Sequence, residues 1–142
     1  METTSSTWSF EARSGLFGCG IDSEKIRRFE KLVRSDHAPL PFVFSRREIE
    51  HSFGAEDAAR SLCISFCVKE AARKALGEPF NYPECEVFPM SGAGASEERL
   101  PLHLRDSLKR EFGLVEGVAV AFENRLDKGE MVAVVYLLGG GR

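Results

Sequence analysis

Residues 66 to 77 read Phe66-Cys67-Val68-Lys69-Glu70-Ala71-Ala72-Arg73-Lys74-Ala75-Leu76-Gly77. The stretch reads as the end of an amphipathic helix. Gly77 supplies the C-cap, and Pro79 beyond it cannot continue the helix. Counting back from Glu70, Phe66, Cys63 and Ala59 recur at helical spacing, and Cys67 joins the same face. Glu70 therefore ends a face expected to pack inward, where a carboxylate is costly unless paired. Lys69 and Lys74 flank it. A carboxylate between two ammonium groups on a half-buried face can hold a metal ion against a phosphate. The same residues can equally be an ordinary i,i+4 pair of Glu70 with Lys74, worth a few tenths of a kcal/mol.

A second segment, Gly18-Cys19-Gly20-Ile21-Asp22, lies upstream. Apolar residues and glycines from Ser14 to Ile21 predict a buried strand where backbones approach closely. Ile26, Phe29 and Leu32 or Val33 then recur at helical spacing, which predicts a helix from about Ser23 to Arg34. Asp22 falls at this junction. It is a candidate for chemistry, and it is equally an N-cap. A third segment, Phe44-Ser45-Arg46-Arg47-Glu48, has the form of a capping box that opens a short helix over about 46–52. Capping accounts for Glu48 fully.

In this order and spacing the three segments resemble the 4'-phosphopantetheinyl transferase superfamily, specifically the small holo-acyl-carrier-protein synthase type. The family has a Gly-x-Asp motif followed six residues later by an arginine, here Asp22 and Arg28. It also has a Phe-Ser/Thr-x-x-Glu segment, here Phe44 to Glu48. Its Lys-Glu-Ala-x-x-Lys-Ala helix is matched in full by residues 69–75. The likeness is good from about Ser14 to Gly77 and weaker towards the C-terminus.

The resemblance implies an α+β fold with a small antiparallel sheet on a long helix, and a homotrimer with sites at subunit interfaces. It implies transfer of the phosphopantetheine arm of coenzyme A, the co-substrate, to a serine of an apo acyl carrier protein. The by-product is 3',5'-ADP, and the setting is lipid and fatty acid biosynthesis. Mg²⁺ suits such chemistry, because it takes one or two carboxylates plus substrate phosphates and waters. Asp22 and Glu70 are the expected metal ligands. Lys69 and Lys74 are the expected phosphate contacts, acting as point charges. Glu70, or a water it holds, is the candidate base. Arg28 falls at the family's carrier-contacting arginine, and Arg27, Lys31 and Arg34 extend that basic surface towards an acidic carrier. The same charges also read as a solvated helix face, with Glu24 and Glu30 as counter-charges.

The chain has 142 residues, 43% of them hydrophobic, which bounds it to one domain. That domain is expected over residues 13–138, with a disordered tail at 1–12 and a loose end at 139–142. The net charge is −3 and the pI about 5.7, which excludes a general nucleic-acid binder. No apolar run is long enough to span a membrane. The N-terminus has neither the basic region nor the apolar core of a signal peptide. Cys19, Cys63, Cys67 and Cys85 contain no Cys-x-x-Cys pair. They read as free thiols in a reducing cytoplasm rather than as a disulfide or zinc framework.

The rest of the chain predicts an extended 42–44, a long helix from about Ala55 to Leu76, and a short strand at Cys85–Phe88. A flexible loop at 91–96, a strand at Leu100–Leu104 and a helix at Asp106–Phe112 follow. The last elements are strands at Gly117–Glu123 and Met131–Leu138, joined by a hairpin at Asn124–Gly129. Two departures from the family stand out. Residues 118–124 carry no serine or histidine where the family has a Ser/Thr-x-Ser-His-like segment. Ser23 follows Asp22 where the family favours an aliphatic residue. The three histidines, His37, His51 and His103, lie elsewhere without a catalytic pattern. The altered strand leaves a second reading open, a non-catalytic relative that binds coenzyme A or carrier as an assembly module.

Overall fold

A computed structural model of the chain describes residues 14–35, 37–90 and 97–140. The expected tail at 1–12 and the loop at 91–96 lie outside the described residues.

The elements in chain order are β1 (Ser14–Lys25), α1 (Ile26–Arg34), α2 (Leu40–Val43), α3 (Arg46–Phe53) and α4 (Ala58–Leu76). A 3₁₀ turn at Tyr82–Glu84 precedes β2 (Cys85–Glu86), β3 (Glu97–Leu104), α5 (Asp106–Phe112), β4 (Leu114–Glu123) and β5 (Glu130–Gly140). The strands form one antiparallel sheet in the order β1-β5-β4-β3-β2. The α+β architecture expected from the sequence is the one observed.

Helix α4 organises the core. Asp57 caps its start by accepting from the Arg60 N–H at 3.0 Å, and Gly77 ends it in the left-handed conformation with φ of 80°. Leu62, Ile64 and Val68 are fully buried, each worth about 1.5–3 kcal/mol by transfer from water. Alternate residues of β4 and β5 bury one sheet face: Ala119, Ala121, Met131, Ala133, Val135 and Leu137. On the helix side, Ala71, Ala72 and Ala75 are buried too. Gly18 and Gly20 set the closest approach. An ideal Cβ on Gly18 would lie 1.9 Å from the Ala75 carbonyl oxygen, and one on Gly20 would lie 2.1 Å from that of Ala71. Strand β1 therefore lies directly on the backbone of α4.

The structure corrects four expectations. Strand β1 is not a buried strand. It is an edge strand, and Leu16, Phe17, Cys19 and Ile21 are exposed. It also runs past Asp22 to Lys25, which pairs with Glu130. The Ile26 N–H then bonds the Gly129 carbonyl at 2.8 Å, so helix α1 starts only where the hairpin removes the partner strand. Asp22 faces Ala133 in mid-strand, and it is Lys25 that holds the N-cap position, without a side-chain cap. Residues 42–44 are not all extended, because Pro41 sits at the first positions of α2, where a missing N–H costs nothing. Gly139 and Gly140 are not a loose end. They pair with Gly15 and Ser14 as the close of β5.

The capping box of α3 forms as read. Ser45 accepts from the Glu48 N–H, and Glu48 Oε1 accepts from the Ser45 N–H at 2.9 Å.

Candidate functional site

The face of β1 that meets α4 carries the even-numbered residues, the two glycines first and then Asp22 and Glu24. Because the glycines let strand and helix touch, Asp22 arrives beside the last turns of α4. Lys74 Nζ lies 2.9 Å from Asp22 Oδ1 and donates to the Ile21 carbonyl at 3.2 Å. The bond to Asp22 raises the Lys74 pKa, desolvation opposes it, and the Asp22 and Glu70 charges add to the rise. Lys74 therefore stays protonated at neutral pH. Its side chain is 56% exposed and that of Asp22 12%, so the pair sits at the mouth of the strand–helix crevice.

Glu70 lies one turn earlier on α4 and is half-buried. The face read from Ala59, Cys63 and Cys67 is buried and Glu70 ends it, but a second side of the helix turns inward at its neighbour. Helix α4 is packed on more than one side, so a single-face argument misplaces its charges. Lys69 is the fully buried one. Its Nζ lies 2.9 Å from Glu48 Oε1, donates to the Tyr82 carbonyl at 2.9 Å and also donates to the Cys85 carbonyl. An ammonium has three donors, and all three are spent. Lys69 is thus not a phosphate contact. Glu48 accepts in addition from the Val87 N–H at 2.7 Å. Burial pushes the Glu48 carboxyl above its usual range, and Lys69 with the N–H donors pulls it back.

Two residues that sequence reasoning passed over belong to the site. Glu24 adjoins Asp22. Burial first, then the Asp22 charge, raises its carboxyl pKa, while Arg28 at 2.8 Å opposes the rise. Strand alternation was the signal for Glu24, and the helix expected from Ser23 hid it. Tyr82 donates its hydroxyl proton to Glu70 Oε2. Burial and that bond raise the phenol pKa. No local pattern marks Tyr82, because the chain must reverse after Gly77 to bring it back.

The oxygen-only donor set and one orphan atom bear on a divalent cation. Asp22 Oδ2 is buried with no hydrogen-bond partner among the described residues. No group of three or more His, Cys, Asp or Glu side chains able to enclose a metal occurs among the described residues. Magnesium takes one or two carboxylates and fills its other positions with phosphate oxygens and water. Asp22 and Glu70 fit that role.

The cysteines lie beneath the site. Cys67 Sγ donates to the Asp22 carbonyl at 3.2 Å, and Cys63 Sγ approaches that of Glu24 at 3.8 Å. Burial pushes the Cys63 thiol up to about 12 and the Cys67 thiol higher still.

Arg27, Arg28, Lys31 and Arg34 are exposed on α1. Arg28 also stacks over Phe66, 5.3 Å from the ring centre. Between α1, α2 and Phe66 runs a groove of about 450 Å³ with Phe29, Leu32, Leu40 and Val43 in its walls and Arg28 and Lys31 at its rim.

A sequence model of the 4'-phosphopantetheinyl transferase superfamily matches residues 18–122. The holo-[acyl-carrier-protein] synthase of Geotalea daltonii is 36% identical over 63 residues, which make up 44% of this chain and 50% of that relative. The chain thus spans about half the length of that relative. The holo-[acyl-carrier-protein] synthase of Anaeromyxobacter dehalogenans strain 2CP-C is 30% identical over 131 residues, covering 89% of this chain and 98% of the relative. Among solved structures, the holo-[acyl-carrier-protein] synthase of Neisseria meningitidis matches with a TM-score of 0.69 at 16% identity, over 87% of this chain and 98% of that one. The ACPS-CoA complex from Chronobacterium ammoniagenes matches with a TM-score of 0.60 at 22% identity, over 88% of this chain and 98% of that one. At these identities the structures establish a shared fold.

Proposed function

The chain belongs to the 4'-phosphopantetheinyl transferase superfamily, and from that premise we propose that it transfers phosphopantetheine from coenzyme A to a serine of an acidic apo acyl carrier protein. The observation that carries this reading is that Asp22, far upstream in sequence, meets Lys74 at 2.9 Å on the helix that carries Glu70 one turn earlier. The serine oxygen forms a bond to the phosphorus nearer the pantetheine arm. The bond from that phosphorus to the bridging oxygen breaks, and 3',5'-ADP leaves with the electron pair.

Asp22 and Glu70 would hold magnesium, which when bound supplies positive charge against the pyrophosphate oxygens. Lys74, held protonated beside Asp22, offsets the charge that builds on the leaving oxygen. Glu70, or a water it orders, takes the serine proton. Positioning supplies most of the rate, since these groups are fixed by strand and helix rather than by loops.

The basic surface of α1 fits the carrier. Its four cations would speed encounter with an acidic partner more than they tighten the final complex. The sheet face away from α4 bears on assembly. Val118, Val120, Phe122, Val132, Val134 and Tyr136 alternate onto it and are only partly covered or exposed in one chain. Such a face favours association of copies, with a homotrimer as the proposed form. The chain has no helix long and apolar enough to cross a membrane among its described residues. Cytoplasmic location is proposed on the free-thiol argument.

One observation favours the non-catalytic alternative: the strand at 118–124 presents Val118, Val120 and Phe122 where the family carries polar groups. Release of 3',5'-ADP from coenzyme A, followed by chromatography with and without apo carrier and Mg²⁺, separates the two. The transferase reading expects release only when both are present. Coenzyme A binding without release under any condition would select the module.

A further inference from the structure

Tyr82 is half-buried and held at several points. Lys69 donates to its carbonyl at 2.9 Å, and that lysine is itself buried against Glu48. The Phe66 ring lies 5.7 Å from its ring centre. The Arg73 guanidinium covers the ring at 3.7 Å, and Arg73 is tied in turn to the Phe80 carbonyl. Pro83 stiffens the 3₁₀ turn that carries it. Its hydroxyl donates to Glu70 Oε2.

A side chain fixed at its backbone, against Arg73 and Phe66 and by a buried ion pair behind it delivers its donor to one place. We propose that Tyr82 is a positioning residue, whose hydroxyl holds one oxygen of Glu70 so that the other is presented to the cation and the phosphates. This rests on the reading of Asp22 and Glu70 as ligands. The relay runs from Glu48 through Lys69 and the Tyr82 backbone to Glu70. It gives the buried Lys69 a part in the site without contact to substrate. Partners of this kind around metal-holding carboxylates typically matter about 10- to 100-fold in metal affinity or activity.

The test uses Mn²⁺ as a spectroscopic stand-in for magnesium, titrated against the whole protein with coenzyme A present, with free Mn²⁺ read by electron paramagnetic resonance. Tyr82→Phe removes the hydroxyl and keeps the ring, so the thermal midpoint should move little. The half-saturating Mn²⁺ concentration should rise about 10- to 100-fold. In a Glu70→Gln background, Tyr82→Phe should cause no further change, because the group it positions is already altered.

Equal Mn²⁺ binding by Tyr82→Phe and the parent protein overturns the proposal and leaves the ligand assignment standing. An equal loss in both backgrounds overturns it too, since it would mark the hydroxyl as packing alone. Failure of the parent protein to bind Mn²⁺ at all overturns the ligand assignment itself, and the proposal with it.

Discussion

Lys69→Met separates two roles for one lysine. The side chains of Lys69 and Glu48 are both 0% exposed, and their charged atoms are 2.9 Å apart. Methionine fills most of the stem's volume but removes the ammonium. Glu48 is then a buried carboxylate with no counter-charge, and the Tyr82 and Cys85 carbonyls lose their donor. Breaking a buried pair from one side costs about 3–5 kcal/mol. Glu48 keeps its bonds from the Ser45 and Val87 N–H groups, which places the loss near the lower end. For a chain of this size, about 3 kcal/mol lowers the thermal midpoint by roughly 10 °C.

The loss also depends on pH, with a sign that can be worked out. Without Lys69, burial raises the Glu48 carboxyl further above its unfolded value of about 4.3. A raised acid contributes stability below the unfolded pKa and loses it as pH rises through the folded pKa. The deficit of Lys69→Met should therefore be small near pH 4 and grow towards pH 8. Adding Glu48→Gln keeps an acceptor for the two N–H groups and removes the stranded charge, so the double variant should recover part of the stability at pH 8. Urea unfolding followed by circular dichroism at both pH values measures all of this. A Lys69→Met protein as stable as the parent at pH 8, with a raised KM for coenzyme A, would refute the buried pair and restore Lys69 to the phosphates.

Three further outcomes are expected. Gly20→Ala places a methyl group 2.1 Å from the Ala71 carbonyl, so β1 must lift off α4; thermal unfolding should show a loss of about 2–3 kcal/mol or more, with transfer falling alongside. Cys63, Cys67 and Cys85 are buried with raised thiol pKa values, so a colourimetric thiol reagent at pH 8 should label at most Cys19 in the native protein and all four cysteines after denaturation. Lys31→Glu with Arg34→Glu should raise the KM for an acidic carrier about 10-fold at low salt and much less at high salt, with KM for coenzyme A unchanged.

Helix α4 was legible because its stop signals are local: Gly77 takes the left-handed cap, and Pro79 blocks continuation. The capping box of α3 was legible for the same reason. The hairpin between β4 and β5 follows from the Asp127-Lys128-Gly129 turn, where Gly129 has φ of 86°. What could not be read depends on pairing between distant segments. The reach of β1 past Asp22 is set by β5, about a hundred residues on, and no signal within Ser23-Glu24-Lys25 reports it. Burial of Lys69 follows from α4 being covered on the side of α3 and β2 as well as on the sheet side, so its periodicity could not tell which charge turns inward. Asp22, Glu70 and Lys74 were singled out as a set through their likeness to a family pattern, while Glu24 and Tyr82, outside that pattern, needed the folded chain to be seen.

The most direct test of the central claim is the intact mass of an apo acyl carrier protein after incubation with this protein, coenzyme A and Mg²⁺. The account predicts a gain of one phosphopantetheine group, abolished by Glu70→Gln and by Asp22→Asn in proteins that remain folded. A gain that survives either substitution would contradict the assigned site, and no gain with any of a panel of apo carriers would contradict the transferase.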